Sequence, residues 1–255
     1  MRNFPYRDYG PAVMYRPGKI LYVGGGSPPT ATTEAIDLHA AKPKWVTMAP
    51  MHFPRRHCNA TVLPDGRVLV NGGTFSSVFD DPTEPVYQSE IWDPATNTWT
   101  LMAAQQIYRG YHSTAILLPD GRVFSSGGGY ESNYEMFSPT YLFKGQRPAV
   151  TTSPAGTVGG LWFKVDCPQA ATIANVSLIR LGTTTHTMNN DQRFQWLSFK
   201  ANKASLDVRA PDISPDNPSG YYMLFVLNSQ GVPSVGRIVR LGPSLGVVTK
   251  TTNQN

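Results

Sequence analysis

Charge, cysteine and long apolar runs are all scarce in this sequence of 255 residues. Charged residues make up 15% and hydrophobic residues 40%. That balance suits a folded core and does not suit a disordered chain or a coiled coil. The net charge is +5, but Lys and Arg are scattered one or two at a time. Without a basic stripe or a stacking platform, a nucleic-acid partner is not expected. The two cysteines, Cys58 and Cys167, form no C-x-x-C and no zinc spacing; a disulfide between them stays open. No apolar run approaches the ~18 residues of a membrane span, so no transmembrane segment is expected. The segment Met1 to Asp8 has no apolar h-region, so no signal peptide is read in this chain. Long helical windows are absent too, because 23 glycines and 22 prolines punctuate the chain.

What is present is a repeated hairpin. Around Arg109 to Gly129, the positions His112, Thr114, Ile116 and Leu118 alternate with Ser113, Ala115 and Leu117, the period of a strand. Pro119-Asp120-Gly121 supplies turn chemistry, and Arg122 to Ser126 returns towards a run of three glycines. The same return strand occurs at Pro17 to Gly26 and at Leu63 to Gly73. Asp65 and Asp120 are 55 residues apart; Trp45 and Trp99, like Arg55 and Arg109, are 54 apart. Trp45/Met48 and Trp99/Met102 share a Trp-x-x-Met spacing. A period of this length with Gly-Gly signatures predicts kelch-type propeller blades, about three of them. Residues 1–54 read as the end of one blade and the start of the next, 55–108 as a fuller blade, and 109–143 as the start of a third. Arg55 and Arg109 read as structural residues that pair between blades, and the two tryptophans as blade packing.

At the mouth of the third hairpin stand Tyr111 and His112. Adjacent strand residues point to opposite faces, so both can serve one centre only if the backbone bends there, which Gly110 would permit. Beyond Lys144 to Pro148, which reads as a linker, the Pro-Asp-Gly and Gly-Gly-Gly signatures end. Short alternating runs follow: 161–165, 176–181, 195–199, 206–208, 221–226 and 236–241. Six or seven short strands predict an immunoglobulin-like sandwich. The expected fold class is therefore all-β: a partial kelch propeller over 1–146, a sandwich over 147–243 and a polar tail over 244–255. Two glycosylation sequons, at Asn59 and Asn175, matter only in a glycosylating compartment.

Four stretches together carry a family resemblance. They are Arg109 to Phe124 with its Tyr-His-Ser, Phe137 to Leu142, Ser177 to Arg193 with its Thr-His-Thr, and Tyr221 to Ser234. In this order and spacing the chain resembles the C-terminal half of the galactose oxidase and glyoxal oxidase family, from about Met14 to Leu241. The resemblance implies a copper radical oxidase that converts an aldehyde or primary alcohol while reducing O₂ to H₂O₂. It implies a secreted protein with a sandwich of the early-set type that sends a loop into the propeller axis. By this resemblance Tyr111 is the axial and catalytic ligand, and His112 and His186 are the equatorial ligands of one copper ion. Phe79 resembles an aromatic residue of the substrate pocket. The chemistry is coherent, since two imidazoles and a phenol suit copper(II). His112 and His186 lie 74 residues apart, on two expected domains, so a shared metal would clamp them.

The family's other half is not in this sequence. It carries the cysteine-linked tyrosine that holds a second oxidising equivalent as a radical. Three blades also cannot close a ring. The expectation is that this chain is the C-terminal part of a larger protein, partnered by missing N-terminal blades and inactive alone. The rival reading is a non-catalytic kelch-plus-sandwich binding module for carbohydrate or a cell surface. Taken singly, His112 reads equally as a hydrogen-bonded kelch-turn histidine, Tyr111 as a packed core aromatic, and Phe79 as loop packing.

Overall fold

A computed structural model describes residue 4 and residues 6–129 and 131–243; the expected polar tail lies outside the described residues. The fold is all-β. The first blade is β1 (Ala12–Arg16), β2 (Lys19–Val23), β3 (Thr33–Asp37) and β4 (Trp45–Met48). The second is β5 (Asn59–Val62), β6 (Val68–Asn71), β7 (Gln88–Asp93) and β8 (Thr98–Ala104). The third is β9 (Thr114–Leu117), β10 (Val123–Ser126) and β11 (Tyr134–Phe137). Each is an antiparallel meander in chain order, of four, four and three strands among the described residues. Residues 12–48 thus form one complete blade, where the sequence suggested parts of two.

The 54-residue period is written into the hydrogen bonds. Asn59 donates to the Ser113 hydroxyl, Thr61 to the Ala115 carbonyl and Asn71 to the Ser125 hydroxyl, and each pair is 54 residues apart. Equivalent positions of neighbouring blades therefore touch, and Asn59 is buried between them. An arginine ahead of each blade's inner strand meets a glutamate on its third strand: Arg7–Glu34, Arg55–Glu90 and Arg109–Glu135 at 3.1, 2.7 and 3.7 Å. These side chains pair within a blade rather than between blades. Their carbonyls add to the links between blades, with Gly25 N–H donating to Arg55 O and Gly73 N–H to Arg109 O, both at 2.8 Å.

The sandwich follows. Its larger sheet orders β12 (Gly156–Val158), β21 (Arg237–Gly242), β20 (Gly220–Asn228), β14 (Ile173–Arg180) and β17 (Phe194–Trp196). The smaller orders β13 (Trp162–Asp166), β19 (Ser205–Arg209) and β18 (Phe199–Ala201). β15 (Thr184–Thr185) and β16 (Met188–Asn189) make a separate ribbon. The run expected over 195–199 is two strands on different sheets, because the chain crosses over at Leu197-Ser198.

β20 explains how the two parts dock. Side chains alternate along a strand. Tyr222, Leu224 and Val226 enter the sandwich core, whereas Met223, Phe225 and Leu227 join the core shared with the blades. Buried on both faces, the strand reads as a continuous apolar run. The Pro-Asp-Gly turns rest on the sandwich: the Ser177 hydroxyl donates to Pro64 O at 2.8 Å. Gly236 N–H donates to Pro119 O at 2.7 Å. Arg147, within the expected linker, forks to Asp120 O, Pro233 O and Ser234 O.

Candidate metal centre

The segment from Leu181 to Arg193 leaves the sandwich and runs along the inner strands, its ribbon packing against β1, β5 and β9. Gln192 acts there as a substitute strand. Its side-chain oxygen accepts Val62 N–H at 2.8 Å and its amide donates to Ala60 O at 2.6 Å. Further on, Met14 and Arg193 form a parallel bridge. Asp191 braces the segment's base, accepting the Thr183 hydroxyl at 2.6 Å and pairing with Arg180. Its carboxyl is held below the usual carboxylate range, first by the Thr183 hydrogen bond and then by Arg180.

The segment turns at His186 and Thr187, both left-handed with φ of 53° and 64°. Two consecutive positive-φ residues suit the right-handed twist of a two-residue hairpin, a geometry normally given to Asn-Gly. Thr187 is β-branched, so this backbone is strained and is held by its surroundings. His186 stands exposed at the tip. Its Nδ1 meets the Thr185 hydroxyl at 2.5 Å, which leaves Nε2 as the free nitrogen.

Tyr111 and His112 are presented differently from the expected strand. β9 begins only at Thr114. The two residues form a turn closed by Ser113 N–H to Gly110 O at 3.0 Å, with His112 left-handed at φ 66°. The bend is therefore at His112 and not at Gly110. Gly110 is needed for space instead: a Cβ there would stand 2.0 Å from the Tyr108 hydroxyl and 2.7 Å from Asp80 Oδ1. The turn sets the adjacent rings side by side, with centroids 4.1 Å apart.

Across the propeller–sandwich junction, the His186 ring lies 4.6 Å from that of His112 and 5.5 Å from that of Tyr111. Two ligands of one ion, each ~2 Å from it, fit such a separation. Phe79, half exposed on the loop after Gly73, packs its ring 4.8 Å from Tyr111. All four residues singled out in the sequence thus come together, from three separate stretches. Among the described residues no group of three His, Cys, Asp or Glu side chains could hold a metal.

Two residues of the cluster escaped the sequence reading. Tyr9 touches the rings of His57, Phe79 and Tyr111 at 4.6, 5.5 and 5.5 Å. His57 is fully buried and left-handed at φ 56°, and neither ring nitrogen has a hydrogen-bond partner among the described residues. Burial, and then the neighbouring Arg56, push its pKa down to about 4. The available signal was that His57 lies 54 residues before Tyr111. The same register sets Cys58 against His112. Cys58 is a free thiol that burial pushes up to about 11, so it stays protonated.

Two family models match the chain: Glyoxal oxidase N-terminus over residues 25–144, and Galactose oxidase-like, Early set domain over residues 147–241. The chain belongs to the galactose oxidase and glyoxal oxidase family. Galactose oxidase of Gibberella zeae is 36% identical over 91% of this chain and 37% of its own length. Aldehyde oxidase GLOX of Vitis pseudoreticulata is 31% identical over 89% of this chain and 48% of its own. A solved fungal alcohol oxidase of the AA5 family, in complex with copper, superposes with a TM-score of 0.83 at 29% identity, over 92% of this chain and 54% of that one. The chain spans about half or less of the length of these relatives.

Proposed function

We propose that this chain is the C-terminal part of a copper radical oxidase, with propeller blades over 1–146 and the early-set sandwich over 147–243. Tyr111, His112 and His186 are its copper ligands, and Phe79 lines the place where substrate binds. The observation that carries this reading is the meeting of His186 with the Tyr111–His112 turn across the two parts of the chain, 4.6 Å between imidazole rings. The donor types fit copper, and the hydrogen bond at His186 Nδ1 orients the ring, as outer partners of ligating histidines do. A copper ion held there would supply Lewis acidity and one-electron redox capacity. Tyr111 and the two imidazoles hold and orient it, Gln192 keeps His186 at its station, and Phe79 offers an apolar wall. The substrate class is a primary alcohol or an aldehyde, and the protein is secreted.

The cysteine-linked tyrosine of the family has no counterpart at Cys58, whose thiol is buried and protonated. The isolated chain is therefore expected to bind copper(II) without oxidase turnover, since a two-electron oxidation lacks its second acceptor. The test is a copper(II) titration followed by electron paramagnetic resonance, beside a coupled H₂O₂ assay on primary alcohols and aldehydes. Binding lost in His186→Ala, with no peroxide formed, is the expected result. Copper affinity indifferent to both His112→Ala and His186→Ala would overturn the metal centre and favour a non-catalytic kelch-plus-sandwich binding module.

A further inference from the structure

We propose that Asp80 is a positioning residue for the metal centre: one carboxylate oxygen holds the main chain of Tyr111 and fixes the Phe79 loop to it. The inference rests on the ligand reading above and adds what sets the ligand pair in place. Asp80 Oδ1 accepts the Tyr111 N–H at 3.0 Å and the Tyr108 hydroxyl at 3.1 Å. The acceptor is thus shared by residues on either side of Gly110. Two glycines of the third blade make room for the carboxylate. A Cβ on Gly110 would stand 2.7 Å from Oδ1, and one on Gly129 would stand 3.3 Å from Oδ2. Asp80 itself is left-handed at φ 48°, a conformation uncommon outside glycine.

The geometry joins two functions in consecutive residues. Phe79 lays its ring 4.8 Å from the Tyr111 ring, and Asp80 holds the Tyr111 main chain. Tyr111 lies in a turn ahead of β9, and an anionic acceptor makes a stronger hydrogen bond to its N–H than a neutral one would. Asp81, one residue on, works inside the loop: it accepts the Ser76 hydroxyl at 2.7 Å, and the Thr83 N–H and hydroxyl at 2.9 and 2.7 Å. Asp81 therefore shapes the loop, while Asp80 sets where it sits against the ligand pair. A displaced Phe79 loop and a displaced Tyr111 become one event.

The experiment compares Asp80→Ala, Asp80→Asn and Asp81→Ala in the full chain, with and without copper(II). In the metal-free chain, amide exchange at Tyr111 is expected to accelerate at least ~10-fold in Asp80→Ala, less in Asp80→Asn, and not in Asp81→Ala. With copper(II), Asp80→Ala is expected to bind ~10- to 100-fold more weakly with a shifted resonance spectrum, and Asp80→Asn to recover part of both. Unchanged Tyr111 exchange in Asp80→Ala would overturn the tether. Faster exchange with an unchanged copper spectrum and affinity would overturn the positioning role, leaving a purely structural bond. If the parent chain binds no copper, the functional reading fails on its own. The ring resonances of Tyr111 and His112 then decide, and shifts unmoved in both Asp80 variants would refute the proposal. Should Asp80→Ala fail to fold, Asp80→Asn carries the same comparisons.

Discussion

The second and third blades carry the same segment ahead of their inner strands and put it to opposite uses. In the second, Arg55-Arg56-His57-Cys58 is sealed: all four residues are buried, the His57 ring nitrogens have no hydrogen-bond partner among the described residues, burial and then Arg56 hold His57 neutral, and burial keeps Cys58 protonated. In the third, Arg109-Gly110-Tyr111-His112 opens outward after Gly110, leaving Tyr111 half-buried and His112 exposed. The arginines keep the same task in both. The repeat therefore fixes where a side chain stands, and solvent access at that place decides whether it can bind anything. Sealing leaves a donor idle, whereas the tight turn after Gly110 makes two neighbouring donors usable.

The largest expected effect concerns the glutamates beneath the two arginines. Glu90 is fully buried and also accepts the His52 and Phe53 N–H groups at 2.7 and 3.3 Å. Glu90→Gln leaves the Arg55 charge without its counter-ion and is expected to cost about 3–5 kcal/mol in urea unfolding. Glu135 is partly exposed, so Glu135→Gln is expected to cost about 1 kcal/mol or less. Equal losses would mean that the two blades are held alike. Next comes metal affinity. His112→Ala is expected to weaken copper(II) binding on the order of 100-fold or more, whereas Cys58→Ala leaves it unchanged; a parallel loss would show that the sealed segment also supplies a donor.

Gln192 serves the second blade as Thr184 serves the third, but with shorter and more complete bonds: Thr114 and Thr184 hydroxyls stand 3.4 Å apart. Gln192→Ala strands Val62 N–H and Ala60 O and is expected to cost about 2 kcal/mol. Thr184→Val should cost well under half of that, and both are read from thermal unfolding. The smallest effect is that of Asp191→Asn, below about 1 kcal/mol for a partly exposed pair. Its sign with pH is fixed. A carboxyl whose folded pKa lies below the ordinary 3.8 contributes stability above that value and loses it as pH falls through the folded pKa. The gap in Tm between parent and Asp191→Asn should therefore be present at pH 6 and close below about pH 4. A gap that persists in acid would assign the effect to packing.

Much of this fold is visible in local pattern. Alternation around Thr114 to Leu117, the Pro-Asp-Gly turns and the apolar run at Tyr221 to Val226 all report backbone geometry that neighbours in sequence control. The 54-residue period likewise announces the inner strands. What pattern does not carry is partnership at a distance. β12 is three residues long and exists because it pairs in parallel with β21. The division of 195–199 into two strands depends on which sheet each half meets. In the site, Tyr111, His112, His186 and Phe79 stand out by residue type and family likeness. His57 needed the blade register to be seen. Asp80 reaches Tyr111 from 31 residues away, and an aspartate beside a second one in a polar loop looks like any turn residue.

The ribbon that carries His186 has a consequence for insertions and deletions. Gln192 is fixed on β5 and Thr184 lies against Thr114. Strand side chains alternate, so a slip of one residue turns each to the opposite face. One residue added or removed between Thr184 and His186 would move the imidazole out of register with the Tyr111–His112 turn. The length of this segment is a fixed measure between the propeller wall and the proposed metal centre.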